Sequence, residues 1–289
     1  MKQLNLFIEL TRLKKPIGFM LLFWPCAWGL TLVYDFSNSL NQYFFYLTLF
    51  FLGSVLMRSA GCIVNDIWDK EFDKKVSRTK NRPIASGEIS IKLGFFYTSI
   101  LCLCALSILI NFNKYTIMVA LISMPLAFTY PLMKRYTYWP QLFLGITFNY
   151  GIILGWVCIK GQFDIIPLIL YFGAIFWTLG FDTIYGFQDI KDDEIIGIKS
   201  TSIKFKKKPN SFLFLCYLLF IVSQIIVGLF MRFNYMFYLF MLIPIFHLFF
   251  YQIRNLDIIN PKNCLKIFKS NNSLGFLTLL NLLIGKIFI

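Results

Sequence analysis

Residues 65–73 read NDIWDKEFD, and they follow an apolar run, residues 43–63, that is long enough to cross a bilayer. A helix turns about 100° per residue, so Asn65, Asp69 and Asp73, spaced four apart, fall on one face. Two carboxylates and an amide on a single stripe suit a hard cation. Mg²⁺ takes oxygen ligands and is commonly held by one or two carboxylates together with substrate phosphates. A second acidic cluster, residues 182–194, follows a later apolar run in the same way. The two stripes are expected to meet at one face of a membrane.

The composition supports a membrane setting. The 289 residues are 58% hydrophobic and 19% aromatic, with a mean hydropathy of +0.67, whereas a soluble domain is about 45–50% apolar. The apolar runs have helical length rather than the alternating ten-residue pattern of an outer-membrane barrel. The expected fold is therefore all-α and polytopic, in a single domain covering 1–289. Nine spans are predicted, at residues 17–34, 43–63, 93–110, 115–132, 140–159, 165–184, 212–231, 235–251 and 274–288.

Nine spans place the loops alternately on two sides. Of the 28 basic residues, Lys114, Lys160, Arg232 and Lys286 fall on one side, and all others fall on the side of the amino terminus and both acidic clusters. The positive-inside rule puts that basic side in the cytoplasm, with a bacterial inner membrane as the expected setting. The formal charge of +14 is read as topology, and nucleic acid is not an expected partner. The basic run Lys204, Lys206, Lys207, Lys208 is read as an anchor to anionic lipid. The amino-terminal segment lacks the short apolar core and small-residue site of a cleaved signal peptide, so the first run is expected to be retained. The seven cysteines show no metal-type spacing, and His247 lies alone in an apolar run; both are read as core packing.

In the second cluster, DTIYGFQDIKDDE, Asp182, Asp189 and Asp193 share a helical face, with Tyr185 one turn before Asp189. Asp192 and Glu194 point elsewhere. The adjacent Asp192 and Asp193 leave the register open, and spacing selects Asp193. Converging carboxylates need a counter-charge, because two unit charges about 4 Å apart repel by about 4 kcal/mol at an effective dielectric of about 20. Two Mg²⁺ ions bridging a diphosphate would satisfy both stripes. The segment VSRTKNRPIASG, residues 76–87, adds Arg78 and Arg82 directly after the first cluster, and arginine suits bidentate phosphate recognition. Pro83 and Gly87 predict a loop that folds back.

The combination N-D-x-x-D-x-x-x-D, R-T-x-x-R-P and D-x-x-Y-x-x-x-D-x-x-x-D resembles the UbiA superfamily of intramembrane prenyltransferases. The segments RLKKPIGFMLLFWPCAWGL, YPLMKRYTYWPQ and GIKSTSIKF are similar to its 4-hydroxybenzoate polyprenyltransferase branch. The resemblance covers nearly the whole chain in order. It implies nine helices around a central cavity capped by cytoplasmic loops. It also implies Mg²⁺-dependent transfer of a polyprenyl group from its diphosphate to the ring carbon ortho to the phenol of 4-hydroxybenzoate, a step of ubiquinone biosynthesis. By position, Asn65, Asp69, Asp73, Asp189 and Asp193 are the implied Mg²⁺ ligands, with Asp66 and Asp182 in support. Arg78, Arg82, Arg12 and Lys15 are the implied diphosphate contacts, and Tyr185 is a candidate to shield an allylic cation. Arg135 resembles the residue that binds the aromatic carboxylate in this branch.

Rival readings make different demands. A secondary transporter predicts charges at the bilayer midplane and broken helices, whereas these acids cluster at span ends. An alcohol phosphatidyltransferase needs Gly and Arg inside its aspartate motif, which NDIWDKEFD lacks. Within the family, a naphthoate or haem acceptor is the alternative to the benzoate.

Overall fold

The computed structural model describes residues 2–287. Among them it is helical, with no strand. A short amphipathic helix, α1 (Lys2–Leu10), leads through a tight turn at Arg12 into α2 (Ile17–Val33) and α3 (Leu40–Asp73). There follow α4 (Ile91–Leu109), α5 (Lys114–Arg135), α6 (Pro140–Lys160) and α7 (Ile165–Gly186). Two short helices, α8 (Ile190–Ile196) and α9 (Thr201–Phe205), lie in the next loop. The chain then continues through α10 (Pro209–Phe230), α11 (Tyr235–Ile253) and α12 (Pro261–Ile287).

Seven of these helices are long and apolar enough to span a membrane: α3, α4, α5, α6, α7, α10 and α11. The other two predicted spans correspond to α2, which is a turn shorter, and to α12. The first half of α12 carries Lys262, Lys266 and Lys269, which dilute its apolar character. The expected count of nine thus becomes seven full spans and two further rods; the end of the ninth predicted span, Phe288, lies outside the described residues.

The longest helix positions the site. With 34 residues at about 1.5 Å each, α3 is about 51 Å long, well beyond the ~30 Å hydrocarbon core. The membrane span and NDIWDKEFD are one continuous helix, so the acidic stripe stands on a rigid extension. By contrast, α7 ends at Gly186, and the chain turns through Phe187–Asp189 before α8 begins. The expected single helical face through Asp182, Asp189 and Asp193 is therefore bent. Gly186 explains the break: it is a poor helix former, and a Cβ there would sit 2.3 Å from Ser202 Oγ. The loop carrying Ser200–Ser202 packs into that gap, with Thr201 N bonded to Gln141 Oε1 at 3.0 Å and Ser202 Oγ to the Thr183 carbonyl at 2.8 Å.

At the centre, α2 crosses α6 at backbone contact. A Cβ on Gly29 would lie 2.1 Å from the Ile152 carbonyl oxygen, and one on Gly155 would lie 2.4 Å from that of Cys26. Small residues at such crossings let helices approach without any hydrophobic drive from lipid. Around this crossing, Trp28, Trp177 and Phe220 form a fully buried aromatic stack. A buried polar network joins Trp177 to Asn271, Asn271 to Gln252, and Gln252 to Tyr217 and His247. His247 is thus tied into packing, as the lone position suggested. The seven cysteines are free.

Candidate active site

The acids of α3 are buried despite standing at the end of a span: Asp66 is 1%, Asp69 2% and Asp73 6% exposed. Each has a cation. Arg82 bridges Asp66 and Asp73, with Nη1 at 3.1 Å and 2.8 Å. Arg12 Nη2 donates to both oxygens of Asp66, at 2.7 and 2.9 Å. Arg12 itself holds a left-handed backbone, φ 56°, which costs a non-glycine residue energy and is found where surrounding contacts enforce it. Here the guanidinium bonds, including one to the Leu10 carbonyl at 2.7 Å, do so. Asn65 is half-buried on the same stripe.

Opposite stands the second cluster. Arg78 forms a forked pair with Asp189, Nε to Oδ1 at 2.8 Å and Nη2 to Oδ2 at 2.5 Å, and donates from Nη1 to the Tyr185 hydroxyl at 3.2 Å. The guanidinium also lies 5.5 Å from the Tyr185 ring centroid, while Tyr185 packs on Phe268. Arg78 thus ties the loop after α3 to the loop after α7. Burial, and then the neighbouring Asp189 charge, push the Asp193 carboxyl up to about 6. Lys134 and Arg78 act on it in the opposite sense. The Lys15 ammonium is lowered by burial and by the charges of Arg12, Arg78 and Arg82.

Two basic groups not singled out from the sequence, Lys134 and Arg58, stand near the acids, while Arg135 lies away from them. Lys134 Nζ lies 2.5 Å from Asp69 Oδ2, whereas the adjacent Arg135 bonds the Trp68 carbonyl through Nη2 at 2.5 Å and lies over the Phe72 ring. Arg135 is exposed at the rim and is not brought to the carboxylates. Arg58 lies two turns below Asn65 within the span. Its guanidinium sits 5.3 Å from the Phe148 ring centroid, and its Nε finds no hydrogen-bond partner. Gly18 on α2 gives it room, since a Cβ there would lie 2.9 Å from Nε. The sequence did contain a signal: seven residues separate Arg58 from Asn65, which is 20° short of two full turns, so they share a face.

A divalent ion fits this donor set in chemistry. The groups are oxygen donors on two opposed elements, and Asp69 Oδ1 is buried without a hydrogen-bond partner. An orphaned carboxylate oxygen of that kind is costly, and a hard cation would satisfy it. Against this, no three acids among the described residues stand close enough together to hold an ion as they are placed. The reason lies in the pairs above, since Lys134, Arg78 and Arg82 already hold the carboxylates. An ammonium or guanidinium on a flexible stem can hand its carboxylate over to an ion.

An all-helical, multi-pass membrane protein with acidic ends opposed under basic loops defines the class of intramembrane enzymes acting on anionic substrates. The chain belongs to the UbiA prenyltransferase family, whose pattern matches residues 22–280. It is 41% identical over 288 residues to the mitochondrial 4-hydroxybenzoate polyprenyltransferase of Rattus norvegicus, covering 99% of this chain and 76% of that protein. It is 38% identical over 290 residues to 4-hydroxybenzoate geranyltransferase 1 of Lithospermum erythrorhizon, covering 99% and 92%. Its fold is similar to that of a UbiA homologue from Aeropyrum pernix K1, with a TM-score of 0.75 at 20% identity, covering 93% of this chain and 97% of that one. A UbiA homologue from Archaeoglobus fulgidus solved with GPP and Mg²⁺ gives a TM-score of 0.67 at 17% identity, covering 96% and 99%.

Proposed function

We propose that this chain transfers a polyprenyl group from polyprenyl diphosphate to the carbon ortho to the phenol of 4-hydroxybenzoate, releasing diphosphate, for ubiquinone biosynthesis. Support comes from family membership, from the names of relatives near 40% identity, and above all from one juxtaposition. Arg58, an arginine within a span, sits below opposed carboxylates that are ringed by Arg12, Arg78, Arg82 and Lys134. An intramembrane charge without a protein partner marks a substrate site.

In this reading the ion is Mg²⁺, which Asn65, Asp69 and Asp73 of α3 would hold together with Asp189 and Asp193 at the start of α8. When bound, it supplies positive charge against the departing diphosphate. The basic residues bind the same diphosphate. Arg78, Arg82, Arg12, Lys15 and Lys134 offer N–H donors where negative charge grows as the allylic C–O bond breaks, and electrostatic stabilisation of that kind is usually the largest catalytic contribution. The aromatic carboxylate pairs with Arg58, whose five donors suit a bidentate oxyanion. This moves the acid contact from Arg135, whose guanidinium bonds the Trp68 carbonyl at the rim, to Arg58. Tyr185 and Phe148 present ring faces that favour a nearby cation. The apolar helices exclude water that would quench the allylic cation. The carbon ortho to the phenol attacks that cation, and loss of its proton restores the ring.

In this reading the basic loops and the site face the cytoplasm at a bacterial inner membrane; the asymmetry of Lys and Arg supports the cytoplasmic side. The rat relative's name points to a mitochondrial membrane instead; a cysteine introduced at Lys206 and labelled in intact cells or organelles decides side and setting. The activity is tested by supplying membranes with Mg²⁺, a polyprenyl diphosphate and ring-labelled 4-hydroxybenzoate. A lipid-soluble product with the mass of 3-polyprenyl-4-hydroxybenzoate supports the reading, and its absence from active membranes rejects it.

A further inference from the structure

Asp192 and Asp193 are adjacent on α8 and so project about 100° apart. Asp192 Oδ2 accepts a hydrogen bond from the backbone N–H of Ser77 at 3.0 Å. Ser77 immediately precedes Arg78, the residue that forks onto Asp189 and touches Tyr185. The second acidic loop thus holds the first by two consecutive residues, once through a backbone amide and once through a side chain.

We infer that Asp192 is a positioning residue for prenyl diphosphate: it fixes the backbone at Ser77 and thereby the place of Arg78 over the site. The inference rests on the proposed role of Arg78 in diphosphate binding. Two observations carry it. First, an arginine side chain is long and flexible, so its carboxylate partner alone does not fix the first loop's backbone against the second; the hydrogen bond at the Ser77 amide does so one residue away. Second, the rest of the loop after α7 is fastened elsewhere, which makes it a firm base. Lys199 N bonds the Lys134 carbonyl at 3.1 Å and Lys199 Nζ the Tyr136 carbonyl at 3.3 Å. Beneath them, Thr201 and Ser202 are bonded to Gln141 and Thr183. Asp192 extends that base to the loop between α3 and α4. A carboxylate accepting from a backbone amide is one of the stronger hydrogen bonds.

Acceptor geometry separates this role from metal ligation. Asn keeps a carbonyl oxygen where Asp192 Oδ2 accepts, but it lacks the negative charge that an aspartate ligand brings to Mg²⁺. The test compares wild type with Asp192→Asn and Asp192→Ala in detergent or nanodiscs, by two readouts. The first is hydrogen exchange of the segment containing Ser77; the second is the KM for prenyl diphosphate set against kcat and the Mg²⁺ requirement. Asp192→Ala should speed exchange at Ser77 by about tenfold and raise the KM several-fold with kcat and Mg²⁺ requirement little changed. Asp192→Asn should stay near wild type in both. If Asp192→Asn is as damaging as Asp192→Ala and raises the Mg²⁺ requirement, Asp192 is a ligand and the inference fails. It also fails if Asp192→Ala leaves exchange at Ser77 unchanged. Should wild type form no prenylated product, the proposed activity falls, while the exchange comparison still decides the clasp.

Discussion

The Lys134 ammonium lies 2.5 Å from Asp69 Oδ2, while Oδ1 of the same carboxylate is buried and unpaired. One oxygen is held by a mobile cation, and the other has no partner of its own. Lys134 is thus the group poised to move from the carboxylate to an incoming diphosphate. Lys134→Ala should raise the KM for prenyl diphosphate by about tenfold or more, the loss of one hydrogen bond to a charged group. Arg135→Ala, next in sequence but bonded to the Trp68 carbonyl, should have the smaller effect. Steady-state kinetics on the two variants decide it, and a larger effect at Arg135 would reverse the assignment.

Arg58 carries the aromatic acid in this account. Arg58→Met keeps much of the side-chain volume and removes the charge. It should raise the KM for 4-hydroxybenzoate by about tenfold to a hundredfold and leave prenyl diphosphate binding near wild type. Competition with phenol analogues lacking the carboxylate sharpens this: the variant should lose its preference for the acid over the uncharged analogue. Equal loss for both substrates would remove Arg58 from the role.

These two positions show where the sequence was legible and where it was not. The first acidic stripe, the loop arginines and seven of the helical spans follow from periodicity and composition, because each is a pattern within one element. Lys134 and Arg135 are neighbours of like charge, and only the turn of the chain at Tyr130–Arg135 decides which of them faces Asp69. Arg58 was absorbed into the positive-inside tally although it shares a helical face with Asn65. The bend at Gly186 was hidden because its cause, the Ser202 hydroxyl, comes from a loop sixteen residues later. The short α2 and lysine-bearing α12 likewise depend on tertiary contacts rather than on a long apolar run.

Close helix packing gives a stability prediction. Gly29→Ala drives a methyl into the Ile152 carbonyl, 2.1 Å away, whereas Gly53 has nothing within 4 Å of an added Cβ. Overpacking of this kind costs about 1–3 kcal/mol and more against backbone. Gly29→Ala should lower the thermal midpoint in detergent by several degrees, and Gly53→Ala should leave it unchanged or slightly raised through better helix propensity.

The Asp193 carboxyl, held up to about 6 by burial and by Asp189, sets a pH dependence. Its pKa is raised on folding, so the native state binds the proton more tightly than the unfolded chain does. Without a bound divalent ion, stability therefore falls as pH rises from the ordinary carboxyl range through about 6. Ion binding needs the ionised form, so the Mg²⁺ concentration for half-maximal binding should fall as pH rises through the same window. Melting curves and Mg²⁺ titrations on either side of about 6 check both signs. In Asp193→Asn the pH dependence should flatten.

The central claim is that opposed carboxylates on α3 and after α7 together hold a divalent ion against a diphosphate. It is tested most directly by binding rather than turnover, with purified protein, a labelled polyprenyl diphosphate, and Mg²⁺ or a chelator. Wild type should bind far more tightly with Mg²⁺, and Asp69→Asn and Asp189→Asn should each abolish that difference while remaining folded. Wild-type Mg²⁺ dependence retained in both variants would contradict the account.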